Sequence, residues 1–564
     1  MVLVDVVGEP GIGKSRLVHE FRGRLADERL FVLSGSCTPD GQQTPFLPFI
    51  DIVRGSFQLV EEETENGITR KLDKGLGGLG LASERNLALL LNLLGLKPKE
   101  GALKGLDGVL IGLRTRDLLI RLLQERRRIT PVVMILEDLH WIDSVSEELI
   151  ARLVNNAEKI PLLIVYTRRP EYRLPGMEPN SVTEILLGPL SAADTSLIVR
   201  ERIGVADLPT TLKQLVTNRA EGNPLFAEEI ASYLNDHGMV RSRAGVVEYN
   251  AEAVAAALPG SIKALLTARI DGLAPPDRAL LQAAAVMGRS FAPDLLSAIS
   301  GTSPDVDAQL LAMQALDLVY VDENSGELVF KHALVRDALY DSLLSGLRMA
   351  LHLKVAAEVE RRSANRLVEV AEILAYHYGC TASADKAFRY LAMAAKKGLD
   401  IYALEEAERY FQRALQLAEA DPGCVSDLAF ADMLVDFARL LNLDARVKEL
   451  SHVLERHLSR IEAAGDAGYL VLVLHHYSWA LLTRAQFRAA HEVGRRCMEV
   501  AERVGDNRYG QSSFIQTSTI VSPLPLPAFE KLGREAVQHS DKTDDAYLRA
   551  WVLFIWHGIT SCAA

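Results

Sequence analysis

Short aliphatic runs, each followed by a longer amphipathic stretch, fill roughly the first 230 residues of the chain, an alternation that predicts a parallel α/β sheet. Val2–Val7 reads as a buried parallel strand because it is almost continuously apolar. Phe31-Val32-Leu33, Pro131–Leu136, Leu162–Tyr166 and Glu184–Leu187 are the next candidate strands. From about Ala251 onward the pattern turns helical and rich in alanine and leucine. One interruption is Leu318–Asp322, then Glu323-Asn324-Ser325-Gly326-Glu327, then Leu328-Val329-Phe330, which reads as a hairpin. A hairpin after several helices predicts a winged-helix unit from about Leu258 to Ser345.

Beyond Arg348 the pattern predicts stacked helix pairs. Ala387, Leu391 and Ala394 share a spacing with Ala407, Phe411 and Ala414. Small residues at the first and last positions admit a neighbouring helix, and the large one fills the groove between. This is the element of tetratricopeptide repeats, whose period is about 34 residues. Trp479–Val504 fits it more loosely, so an α-solenoid is expected while its repeat boundaries stay open.

Composition narrows the class. At 564 residues the chain exceeds a single core, and three or more domains are expected. Hydrophobic residues at 49% and charged residues at 24% are ordinary for a soluble globular protein. A net charge of -12 argues against general binding to nucleic acid or anionic membrane. Cys37, Cys380, Cys424, Cys497 and Cys562 lie far apart without C-x-x-C pairs, which fits a reduced cytoplasmic protein with neither disulfides nor a zinc site. Val2–Val7 does not end in a cleavage site, and Leu87–Leu96 is too short to span a bilayer and is broken by Asn92. No membrane partner is expected.

The chemistry starts directly after the first strand. Gly8-Glu9-Pro10-Gly11-Ile12-Gly13-Lys14-Ser15 is a complete G-x-x-x-x-G-K-[ST] phosphate loop, with Arg16 following it. Its glycines let backbone amides curl around phosphates, Lys14 reaches the terminal phosphates, and the Ser15 hydroxyl is suited to Mg²⁺. The helix starting at Lys14 adds its positive end. Nucleoside triphosphate binding follows. Such a loop needs an acidic strand end for metal and attacking water, and Glu137-Asp138 closes Val132–Leu136. Which carboxylate serves the metal is left open, because Glu-Asp reverses the familiar order. Asp143 either joins that shell or caps the following helix. Thr167-Arg168-Arg169 ends the next strand and offers an arginine to the terminal phosphate, or simply a solvated pair. His140 and Trp141 are expected to pack the sheet edge rather than touch substrate.

Together, Gly8–Leu17, Leu136–Asp143, Arg169-Pro170-Glu171-Tyr172 and Glu221-Gly222-Asn223-Pro224-Leu225-Phe226 resemble the STAND-class signal-transduction NTPases. More narrowly, the chain is similar to the ATPase plus tetratricopeptide portion of bacterial multidomain adenylate/guanylate cyclases, with relatives among LuxR-type regulators. Gly35-Ser36-Cys37 and Thr44–Phe49 fit the same group. The resemblance implies ATP/ADP and Mg²⁺ as cofactors, with Ser15, Glu137 and Asp138 around the metal. It implies Arg169 as the phosphate-sensing arginine, Pro224 near the adenine, and His332 beside the ADP phosphates. It also implies a P-loop NTPase domain over 1–190, a helical lid over 191–257, a winged-helix-like domain over 258–345 and tetratricopeptide-like repeats over 346–564. The Gly-Arg-Glu motif that usually precedes the first strand is missing, as is a cyclase catalytic domain. Ile559–Ala564 ends within what reads as another repeat. A fragment, or a product truncated at both ends, is the expectation.

The function expected is an ATP-binding, slowly hydrolysing switch. Its repeats would take a protein or small-molecule signal, and a cyclase domain would be supplied in cis or trans. A LuxR-type regulator lacking its output domain is one alternative. Between Ser261 and Ser345, however, eleven acidic residues face six basic ones, a poor footprint for DNA. A scaffold with a vestigial nucleotide site is the other; intact Lys14, Ser15, Glu137 and Asp138 argue against it.

Overall fold

The computed structural model describes residues 2–25, 28–60, 63–99, 101–103, 106, 108–155, 162–176, 182–243, 246–301, 306–322, 326–505, 509, 531, 533–535 and 537–538. The chain divides into two compact units, one of residues 1–64, 123–364 and 380–382, the other of 65–122, 365–379 and 383–564.

The elements in chain order begin with β1 (Val2–Val7), α1 (Lys14–Leu25), β2 (Phe31–Ser36), α2 (Leu47–Ser56), α3 (Glu65–Gly78), α4 (Glu84–Leu93) and α5 (Gly108–Ile129). They continue through β3 (Val132–Glu137), α6 (Ser144–Asn155), β4 (Leu162–Arg168) and β5 (Val182–Leu186). The five strands form one parallel sheet in the order β2-β3-β4-β1-β5. All four strands expected after the first are present, with β2, β3 and β4 running on toward the site. The order places β4 between the strand that feeds the phosphate loop and the strand that carries the acids. Helix α1 packs Val18 onto Val133 and Ile135 of β3, because an amphipathic helix must bury its apolar stripe on a sheet face. Gly35 is required by packing: a Cβ there would lie 2.4 Å from the Pro48 carbonyl oxygen in α2.

Three helices follow, α7 (Ala192–Ile203), α8 (Thr210–Ala220) and α9 (Pro224–Asp236), then the hairpin β6 (Val240–Arg243) with β7 (Val246–Tyr249), then α10 (Ala251–Ala257). Their core gathers Val199, Leu212, Ile230, Leu234 and Val254. Next come α11 (Ile262–Asp271), α12 (Pro275–Met287), β8 (Ser290–Phe291), α13 (Pro293–Ser300), α14 (Val306–Ala315), β9 (Val319–Val321), β10 (Leu328–Phe330), α15 (Ala333–Asp341) and α16 (Ser345–Arg362). The expected hairpin pairs β9 with β10, although its turn at 323–325 lies outside the described residues. β8 adds a third strand on the other side of β10. Phe291, Phe330, Leu339, Leu351 and Val355 share the core beneath this sheet. Among the described residues no single helix is long and apolar enough to cross a membrane.

In the second unit the helices continue as α17 (Ala371–Gly379), α18 (Ala384–Asp400), α19 (Leu404–Ala420), α20 (Asp427–Leu443), α21 (Val447–Ala464), α22 (Ala467–Thr483) and α23 (Phe487–Val504). Helices α18 with α19, α20 with α21, and α22 with α23 form successive hairpins. They start at Ala384, Asp427 and Ala467, further apart than a 34-residue period allows. The buried spacing nevertheless recurs, as Ala407, Phe411 and Ala414 on α19, Leu450, Leu454 and His457 on α21, and Ala490, Gly494 and Cys497 on α23. Each hairpin also turns on a left-handed non-glycine residue, at Tyr402, Ala445 and Ala485 (φ 58°, 56° and 58°). The amide after each bonds back to Gly398, Leu441 or Leu481, which satisfies a helix-end carbonyl. Residues 559–564 and Cys562 lie outside the described residues. Because a left-handed alanine is strained, Ala485→Gly should stabilise this unit by about 0.5 kcal/mol, the strain relieved less the backbone entropy of glycine. A higher calorimetric transition temperature is the expected reading; a lower one would contradict it.

Candidate functional site

The phosphate loop joins β1 to α1. Gly11 and Gly13 have φ of +78° and +107°, a backbone that L side chains rarely adopt. A Cβ on Gly11 would also lie 2.9 Å from Asn223 Oδ1. Ile12 folds over Gly8, whose added Cβ would meet its Cγ2 at 2.6 Å. The buried Lys14 ammonium donates to the carbonyls of Gly8 (2.7 Å) and Glu9 (3.1 Å). Burial pushes its pKa down, against the pull of Asp138. The Arg16 side chain is at the surface, paired with Glu20 at 2.6 Å, so only its backbone belongs to the loop and first helical turn.

The two acids at the end of β3 have different neighbours. Glu137 accepts a hydrogen bond from the Ser15 hydroxyl. Burial pushes its pKa up, with Arg289 opposing and Asp138 adding to the rise. Asp138 turns away in a left-handed conformation (φ 56°), its amide donating to Thr167 Oγ1 at 2.8 Å. The end of β4 thus holds the acidic strand end on one side. On the other, the Gly8 amide donates to the Arg168 carbonyl at 3.3 Å, which ties β4 to the phosphate loop.

The neighbouring arginines have separate environments. Arg168 is buried against Asp5, with Nε 2.9 Å from Oδ2, and its other donors reach Glu184 and the carbonyls of Arg169, Pro170 and Tyr172. Arg169 is half-buried, 5.8 Å from the Trp141 ring, and its charge acts on Lys14 and His140. His140 is held down to about 4 by burial, with Asp138 opposing. Asp143 caps α6: its Oδ1 accepts the amides of Ser146 (2.9 Å) and Phe46 (3.1 Å), a helix-capping geometry.

Residues far along the chain complete the site. Asn223 caps α9 and donates from Nδ2 to the Pro10 carbonyl (3.1 Å), and the Leu225 amide reaches the Gly11 carbonyl (3.3 Å). Pro224, between them, is therefore seated at the loop. His332 lies at the start of α15; burial lowers its pKa to about 4, and the charges acting on it belong to Lys331, Asp317, Arg269 and Arg289. Sequence reasoning missed Arg289, whose Nη1 meets Asp138 Oδ2 at 3.0 Å. No motif marks it, and 151 residues separate the partners. Tyr320 on β9 feels the charges of both Arg289 and Glu137.

A glycine-lined loop, an inserted lysine and an acidic strand end flanked by a polar β4 terminus are the parts of a nucleotide site. Residues 2–165 match the AAA ATPase domain family. That domain implies nucleotide binding. Residues 191–248 match a domain of unknown function (DUF8739). An uncharacterized protein of Rhizobium meliloti (strain 1021) is 26% identical over 444 residues, covering 74% of this chain and 41% of its own length. The chain thus spans less than half of that relative. Among solved structures, a Signal Transduction ATPase with Numerous Domains protein with a tetratricopeptide repeat sensor, from Pyrococcus horikoshii, is 14% identical with a TM-score of 0.36, over 99% of this chain and 82% of its own. A RuvB variant from Thermotoga maritima is 14% identical with a TM-score of 0.23, over 59% and 86%.

The donor set fits Mg²⁺. A hard cation prefers oxygen ligands, and the Ser15 hydroxyl already meets the Glu137 carboxylate.

Proposed function

We propose that the chain is an ATP-binding, slowly hydrolysing signal-transduction switch of the STAND class. The observation that supports this reading is the placement of the acidic pair beside the phosphate loop, with Glu137 at the Ser15 hydroxyl and the Asp138 amide on Thr167 at the β4 terminus. Lys14 and the amides of Gly8–Ser15 bind the phosphates. Ser15 and Glu137 would hold Mg²⁺, which would supply charge neutralisation for the transferred phosphoryl group. Asp138 orients the attacking water and takes its proton as the new P–O bond forms and the bond to ADP breaks. Arg169 reads the terminal phosphate, and Pro224 and His332 belong to the regulatory wall.

Domains over 1–190, 191–257, 258–345 and 346–564 serve as ATPase, lid, winged-helix-like regulator and signal-receiving repeats. The resemblance to cyclase-associated modules makes a cyclase, in cis or trans, the favoured output, and the cytoplasm the favoured location. Burial, like-charge neighbours and a replaceable arginine at the acids support slow turnover.

Glu137→Gln and Asp138→Asn should lower ATP turnover at least about 100-fold, while the affinity for ATP falls less than tenfold. Phosphate release and calorimetric titration measure the two quantities. Unchanged turnover in both variants would remove the acids from their roles.

A further inference from the structure

We propose that Arg289 is a positioning residue that holds the Asp138 carboxylate away from catalysis and releases it when the 258–345 segment moves. The inference rests on the hydrolytic reading above and adds the regulation of that same site.

Two features of the contact support a latch rather than a structural pair. The first is geometry. Arg289 reaches Asp138 through Nη1 alone, and its Nε has no hydrogen-bond partner among the described residues. The two side chains are 31% and 22% exposed. The Arg168–Asp5 pair differs in every respect: it is fully buried and bonded through Nε to both carboxylate oxygens, with Nη1 on three carbonyls. A single-point, partly exposed pair opens at lower cost than a buried, saturated one.

The second feature is the placement of Arg289 on a rigid element. Its carbonyl accepts the Phe330 amide at 2.9 Å, and the next residue, Ser290, pairs with Val329 in the small sheet. Arg289 therefore moves with that sheet, not with the strand end it touches. The sheet in turn belongs to a segment joined to α9 by the buried Arg269–Glu229 pair (2.6 Å), and α9 is the helix that meets the phosphate loop through Asn223. The charged and titratable groups that feel the acid pair are Lys14, Arg22, Cys37, His140, Tyr320 and Arg289. Among the described residues, Arg289 is the arginine bonded to a carboxylate of the pair.

While Asp138 Oδ2 accepts from the Arg289 guanidinium, that lone pair is not directed at water. Opening the pair frees the carboxylate oxygen.

The test uses the full chain with Arg289→Ala, Arg289→Lys and Asp138→Asn. Arg289→Ala should raise kcat for ATP by roughly fivefold, with KM within about twofold, and Arg289→Lys should restore part of the restraint. A readout free of nucleotide accompanies it: the loss of thermal stability from Arg289→Ala and Asp138→Asn should be non-additive, since both remove one pair. Slower turnover in Arg289→Ala would make Arg289 a transition-state donor and overturn the latch. Equal turnover, no turnover in either protein, or additive stability losses would also overturn it. ATP binding that depends on Lys14 is measured in parallel; its absence would sink the nucleotide reading itself, separately from the latch.

Discussion

Lys14→Ala should abolish measurable binding of ATP and ADP, a loss of roughly 100-fold or more in affinity. The ammonium is buried at the centre of the loop and is already held by the Gly8 and Glu9 carbonyls at 2.7 and 3.1 Å. Its pKa is lowered by that burial, yet Asp138 favours the charged form and an incoming triphosphate would favour it more. Two charge-assisted hydrogen bonds to phosphate oxygens at about 1.5 kcal/mol each give the stated factor. Alanine leaves the loop's backbone intact, so calorimetric titration of the folded variant is decisive. Retained affinity would show that the loop is not the site. Lys14→Arg should rescue poorly, because a planar guanidinium does not fit where a compact ammonium is enclosed by two carbonyls.

The second large effect separates two adjacent arginines. Arg168→Ala should destabilise the first unit by about 3–5 kcal/mol, since it leaves the Asp5 carboxylate buried without its partner. Burial already raises the Asp5 pKa, and the Arg168 guanidinium, ahead of Tyr166, opposes the rise. The same change frees the carbonyls of Arg169, Pro170 and Tyr172, which shape the loop leaving β4. Arg169→Ala, by contrast, should change stability by less than about 0.5 kcal/mol and lower ATP turnover instead. Scanning calorimetry suits the comparison because a chain with two compact units need not unfold in one step. Equal destabilisation by both substitutions would contradict these assignments.

What could be read from the chain was local. Gly8–Ser15 needs only consecutive residues, and an aliphatic strand ending in Glu137-Asp138 needs only a run and its terminus. The parallel sheet followed from the same runs because strands buried on both faces leave little polar alternation. The hairpin at Val319–Phe330 was visible because two short β-like runs flank Asn324, Ser325 and Gly326, but β8, with two residues, is too short to show a period. The helical repeats showed their small-large-small spacing at Phe411; at Gly494 the same buried position holds a glycine, so the pattern faded while the geometry persisted. Roles within the site were less legible. Nothing in Thr167-Arg168-Arg169 says that Arg168 folds under onto Asp5, a partner 163 residues away. Asp143 could be assigned to a cap only once Phe46 and Ser146 were seen to share its oxygen. Arg289 had no signal at all, since a lone arginine ahead of a two-residue strand looks like any solvated charge.

The most direct test is ATP turnover by the intact chain with Mg²⁺, followed by phosphate release under saturating nucleotide. A switch of the kind proposed should convert ATP to ADP measurably but well below the median enzyme rate of about 10 s⁻¹. That activity should vanish in Lys14→Ala and rise in Arg289→Ala. Turnover at or above that median in the unmodified chain, or hydrolysis that survives Lys14→Ala, would contradict the account.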